Sequence, residues 1–152
     1  MIYMKGEVFL DTNVLVYAYD LSDPAKQRRA IDVLDDLSVR DAGVISTQVM
    51  SELFVVLTRK LGNALTVEQA LETVTRHMRA WRVVDVTDFI VLEAARGVRG
   101  HQMSFRDAQV WAAAKLNQIP VVLSEDFASG SIIEGVHFIN PFEDDFDIYR
   151  LR

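Results

Sequence analysis

The sequence predicts an α/β fold: three layers, α/β/α, around a central five-stranded, mostly parallel sheet. Three observations carry this. The candidate strands are short and apolar throughout, as strands buried on both faces are. A helical pattern separates each from the next, which is the signature of crossover units. Only 7 Gly and 3 Pro punctuate the 152 residues, with no repeat, low-complexity tract or linker, so short turns join the elements of one domain. That domain is expected over residues 1–142, followed by an acidic tail over 143–152, more suited to a frayed or partner-bound end than to the core.

Glu7 to Leu10 reads as a buried strand that stops abruptly at Asp11. Val14 to Tyr19 suits a short helix. Asp23-Pro24 starts a longer one, with Pro at its first position, burying Ala30, Val33, Leu34 and Leu37 and ending near Ser38. Gly43 to Ser46 is the second strand. Thr47 to Leu61 is helical, stopped by Gly62-Asn63. Thr66 with Gln69 forms a capping box for a helix ending near Ala80. Arg82 to Val86 is the third strand, Thr87 to about Gly97 a helix ending at a glycine, and Ser104 to Asn117 an Ala-rich helix. Ile119 to Leu123 and Gly135 to Ile139 complete the sheet.

Composition narrows the function classes. With no cysteine, disulfides, thiolate zinc sites and thiol catalysis are all excluded. No signal peptide and no apolar run of roughly 20 residues is visible, so a cytoplasmic location is expected, with no membrane partner. The formal charge of −6 argues against a polycation that coats nucleic acid, but not against nucleic-acid chemistry performed by carboxylates.

Parallel sheets bind ligands beyond the carboxyl ends of their strands. Asp11 directly follows the first strand and Asp126 lies three residues beyond the fourth. Each would also serve as an ordinary turn or cap residue. Glu52 lies one helical turn from Val49 and Val56, on the core-facing stripe, where a carboxylate costs several kcal/mol unless paired or metal-bound. Pairing with Arg59 or Lys60 is the alternative. Asp107, three residues after Ser104, resembles a helix-capping acid. Four carboxylates converging on one rim would repel one another unless a cation were present. Oxygen-only ligands select Mg²⁺ or Mn²⁺, which activate water for phosphoryl displacement.

These residues resemble the PIN-domain family of metal-dependent ribonucleases, especially VapC-type toxins of toxin–antitoxin pairs. The likeness runs from Phe9 to Phe142. Phe9-Leu10-Asp11-Thr12-Asn13 resembles the first motif, Ser51-Glu52-Leu53 the second, Ser104-Phe105-Arg106-Asp107-Ala108 the third, and Val121 to Phe127 the fourth. Val136 to Phe142 resembles the closing strand. The resemblance implies that Asp11, Glu52, Asp107 and Asp126 are catalytic metal ligands for Mg²⁺ or Mn²⁺. Asn13 and Ser124 would support them, and Glu125 would share the role of Asp126. It implies hydrolysis of single-stranded or loop RNA to 5′-phosphate and 3′-hydroxyl ends, a homodimer, and a cognate antitoxin inserted in the groove. The surplus of apolar residues over Val14 to Leu37 and Thr47 to Ala80 suits such contacts.

Arg106 reads as a solvated first-turn residue rather than a phosphate contact. Arg76, Arg79, Arg82, Arg96, Arg99 and Arg106 form an acid-poor stretch that suits either an RNA-facing rim or ordinary solvation. His101, in an expected loop, receives no role. A PIN-like RNA-processing nuclease outside a toxin–antitoxin system is the main alternative. A receiver-type signalling domain lacks its lysine after the last strand, and a dehalogenase-like phosphatase lacks a second acid at Asn13. A binding-only PIN-like domain would lack one of the acids.

Overall fold

The computed structural model describes residues 6–151. Chain order is β1 (Val8–Leu10), α1 (Thr12–Tyr17), α2 (Pro24–Val39), β2 (Gly43–Ser46), α3 (Thr47–Val55) and α4 (Val67–Ala80). Then follow β3 (Arg82–Val84), α5 (Asp88–His101), α6 (Phe105–Leu116), β4 (Val121–Leu123), β5 (Ile132–Ile133) and β6 (Val136–Ile139). The sheet runs β3-β2-β1-β4-β6-β5. Every pairing is parallel except β5 with β6. The expected α/β sandwich therefore carries six strands rather than five. The extra one, β5, is a two-residue edge strand in a hairpin with β6, too short to show a period in the sequence.

Phe9, Leu10, Ile45, Leu53, Leu57, Trp111 and Phe138 are fully buried between the layers. Trp111 also donates its indole N–H to the Ile133 carbonyl at 3.1 Å, tying α6 to the edge hairpin. Helix starts follow local chemistry. Asp23, Ser46, Thr87 and Ser104 each accept a backbone N–H in the first turn. Thr66 and Gln69 form the full reciprocal box.

Three expectations need correction. Helix α5 does not end at Gly97 but continues to His101, closing on Gln102 in the left-handed region, with φ 57°. Gly97 is there because a Cβ would stand 2.6 Å from the Trp111 ring, so it admits α6 rather than stopping α5. His101 is consequently helical, with Nε2 2.7 Å from Glu134 Oε2. Second, the helix expected over Thr47 to Leu61 is not α-helical throughout: α3 runs on into a wider, π-helical turn over Val56–Lys60. Third, the acidic tail is docked. Phe146 and Ile148 pack on the core, a 3₁₀ turn spans Ile148–Leu151, and Leu151 is buried. Arg29 Nη1 donates to the carbonyls of Pro141 and Glu143, at 2.7 and 3.2 Å. Apolar spacing within the acids, not net charge, decides this segment.

Strands β1 and β4 are neighbours, and from β1 the chain goes on to β2 on one side while from β4 it goes on toward β6 on the other. That is a topological switch point, where such sheets open a crevice.

Candidate active site

Asp11 ends β1 and caps α1. Its Oδ1 accepts the Thr12 N–H at 2.7 Å, and the residue is 0% exposed. Ser124, equally buried at the end of β4, donates its hydroxyl to Asp11 Oδ2 at 2.7 Å. The Asp126 N–H donates to the same Ser124 Oγ at 3.1 Å. Asn13 completes this side: its Nδ2 donates to Asp126 Oδ2 at 3.1 Å, and its Oδ1 accepts the Glu125 N–H at 3.3 Å. Adjacent ends of β1 and β4 are thus stitched together by two short polar side chains.

From α3, Glu52 reaches across. Its Oε2 accepts the Thr12 hydroxyl at 2.6 Å and its Oε1 accepts Gln48 Nε2 at 3.1 Å. Gln48 Nε2 also donates to the Arg106 carbonyl at 3.1 Å, fixing the start of α6 against α3. Asp107 lies in that first turn. Ser104 caps the helix by accepting the Asp107 N–H at 3.1 Å, while the Asp107 carboxylate accepts from Arg106 Nη1 at 3.0 Å.

The structure therefore brings Asp11, Glu52, Asp107 and Asp126 to one pit, with Asn13 and Ser124 between them. Glu125 stands apart: Tyr17 donates to its Oε1 at 2.8 Å and Lys26 to its Oε2 at 2.9 Å. It braces α1 and α2 against the loop after β4 and does not share the contacts of Asp126.

Arg106 corrects the reading made from sequence. It is not a solvated first-turn residue; its guanidinium enters the pit. Nη2 is 2.5 Å from Asp11 Oδ1 and 2.6 Å from Glu52 Oε2, and Nη1 is 4.0 Å from Asp126 Oδ2. Glu52 therefore takes neither Arg59 nor Lys60 as the partner that its burial demands. Nor does the arginine stretch form one rim. Arg82 pairs with Glu7, Arg96 with Glu93 and Glu134, and Arg76 and Arg79 line a separate cavity with Glu68 and Glu72. Thr12 and Gln48 were missed. Thr12 sits inside the first motif and Gln48 one helical turn before Glu52, but a hydroxyl or amide at such a position has no periodic signature.

Electrostatics follow from these contacts. Burial works to raise Glu52, yet the Arg106 and Thr12 hydrogen bonds outweigh it and hold this carboxyl below its ordinary range. Asp126 is raised, first by burial and then by the charge of Asp11. Burial opposes the charge on Arg106, but its bonds to Asp11 and Glu52 prevail and raise it further.

The all-oxygen donor set suits a hard divalent ion in its chemistry. Among the described residues, though, no three acidic or histidine side chains stand arranged as a ready metal cage. The guanidinium lies among the donors instead. The pit opens into a cavity of about 680 Å³, walled on one side by Val16, Tyr17, Val55 and Val56.

The PIN domain family profile matches residues 8–128, and the chain belongs to that family. Among solved structures it resembles a toxin–antitoxin complex from Klebsiella pneumoniae, with TM-score 0.68 and 18% identity over 90% of this chain and 99% of that one. It also resembles the Mycobacterium tuberculosis toxin VapC20, described as cleaving the sarcin–ricin loop. There the TM-score is 0.59, with 20% identity over 76% of this chain and 87% of that one. DNA-bound VapBC from Salmonella typhimurium gives 0.61 and 17%, over 87% and 96%. These likenesses establish the fold. A search of curated proteins finds no significant match.

Proposed function

We propose that this chain is a metal-dependent endoribonuclease that hydrolyses RNA phosphodiester bonds and acts as the toxin of a toxin–antitoxin pair. The observation that carries the reading is the convergence of Asp11, Glu52, Asp107 and Asp126, from four separate segments, at the switch point of a PIN-family sheet. Mg²⁺ or Mn²⁺ held by these four residues would supply an activated water and charge stabilisation at the phosphoryl oxygens. The chain's own residues do the positioning. Ser124 and the Thr12 N–H fix both oxygens of Asp11, Thr12 Oγ1 and Gln48 fix those of Glu52, and Asn13 holds Asp126 at the mouth. Asp126, half exposed, faces the open side from which a strand would approach.

An antitoxin partner is supported by the kind of complexes in which the similar folds occur. A homodimer would cover apolar side chains left exposed on α4, such as Val67, Leu71 and Met78. No helix among the described residues is long and apolar enough to cross a membrane; the cytoplasm remains the expected location.

Two measurements test this. Asp11→Asn should abolish cleavage of a hairpin RNA while leaving the circular dichroism unchanged; undiminished cleavage sinks the reading. Millimolar Mg²⁺ or Mn²⁺ should raise the melting temperature of the wild type, and a flat response counts against a metal centre. An RNA-processing role outside a toxin–antitoxin pair is separated by growth. Induction of the wild type, but not of Asp11→Asn, should arrest cells if the protein is a toxin.

A further inference from the structure

We infer that Arg106 is a tethered counter-cation of the acid pit: its guanidinium stands among the carboxylates that would hold a divalent ion, and ion entry requires its withdrawal. This rests on the nuclease reading and adds a competitor built into the same chain.

The geometry is that of an occupant. Nη2 and Nη1 take both oxygens of Asp11, at 2.5 and 3.1 Å, in the forked arrangement that a carboxylate accepts best. Nε and Nη2 take both oxygens of Glu52, at 3.1 and 2.6 Å. Nη1 adds Asp107 at 3.0 Å and lies 4.0 Å from Asp126. One side chain therefore addresses all four acids and uses the same oxygens that a metal would need. A guanidinium and a dication cannot share them, by space and by mutual repulsion.

The attachment also fits. Arg106 is adjacent to Asp107 in the chain, and its carbonyl is held by Gln48. Its tether to the pit thus survives whichever way the side chain points. The side chain keeps 34% of its surface exposed and borders the 680 Å³ cavity, so withdrawal leads into open space without unpacking the core. Without an ion, the same contacts relieve the repulsion among the carboxylates that burial would otherwise magnify.

Calorimetric titration of the metal-stripped full chain with Mn²⁺ tests this, comparing wild type with Arg106→Gln and Arg106→Met. The variants should bind Mn²⁺ at least about tenfold more tightly, because a competing charge is gone, and should melt at a lower temperature in EDTA. Equal or weaker Mn²⁺ binding by folded variants overturns the inference and leaves the nuclease reading standing. Loss of Mn²⁺ binding in wild type and variants alike overturns both. Should the variants fail to fold in EDTA, the wild type answers by NMR. The Arg106 Nε–H should be shielded from water exchange in EDTA and lose that shielding at saturating Mg²⁺. Shielding that persists overturns the inference.

Discussion

Two buried polar residues show what a single side chain does here. Ser124 is wholly enclosed and aligns three groups at once: Asp11, Asn13 and the Asp126 N–H. On the proposed nuclease reading Ser124 orients a metal-holding acid, and loss of such a partner commonly lowers metal affinity or activity by about 10–100-fold. Ser124→Ala should therefore cut RNA cleavage within that range with little change in melting temperature. Cleavage at the wild-type rate would show that Asp11 needs no such support. His77 works differently. Its Nε2 lies 2.7 Å from Tyr19 Oη, with Trp81 tilted against the ring and Arg76 and Asp35 around the same cavity. Burial, then the charge of Arg76, pushes His77 down to about 4. Between that value and the ordinary 6.5, the unfolded chain binds the extra proton, so stability is full above pH 6.5 and falls toward pH 4. The loss approaches about 3 kcal/mol at most. His77→Gln should flatten urea-derived stability across that window; an unchanged slope would place the acid sensitivity elsewhere.

At the scale of elements, two glycines of α5 make opposite predictions. Gly97 faces Trp111, where a Cβ would stand 2.6 Å from the ring, whereas nothing lies within 4 Å of a Cβ at Gly100. Gly97→Ala should cost about 1–3 kcal/mol through overpacking, despite the better helix propensity of alanine. Gly100→Ala should gain about 0.5–1 kcal/mol. Equal effects from the two would mean that α5 and α6 do not pack this closely. The same pair explains what the sequence could convey. An isolated glycine in a helical pattern signals either a stop or a close approach, and only the tryptophan across from it decides. The strands of the parallel core were legible because burial on both faces leaves uninterrupted apolar runs. Ile132–Ile133 was not, since two residues have no period. Asp11 and Glu52 stood out because Asp11 ends an apolar strand and Glu52 breaks a core stripe, whereas Asp107 read on its own as a helix cap. Arg106 was not, because a first-turn arginine in α6 looks the same whether it reaches solvent or reaches 95 residues back along the chain to Asp11.

Across the whole molecule, the docked tail closes the structure against α2. Phe146, Ile148 and Leu151 pack on the core, and Arg40 Nη1 donates to the Leu151 carbonyl at 3.4 Å. Deleting residues 146–152 should lower the melting temperature by several degrees, as losing roughly 2–4 kcal/mol of apolar burial would. Phe146, Ile148 and Leu151 line cavities apart from the one at the pit, so the metal response of the truncated chain should persist. A melting temperature that does not move would show the tail to be frayed after all.

The stitching of Asp11 to Ser124 and of Asn13 to Asp126, each spanning 113 positions, has a bearing on how the protein comes into being. A ribosome releases the first motif long before the fourth, and until the later one emerges the earlier carboxylate lacks its mate. Nascent or prematurely terminated polypeptides should thus be inert toward RNA. On the proposed nuclease reading, a cell would meet the active form only as a nearly finished product.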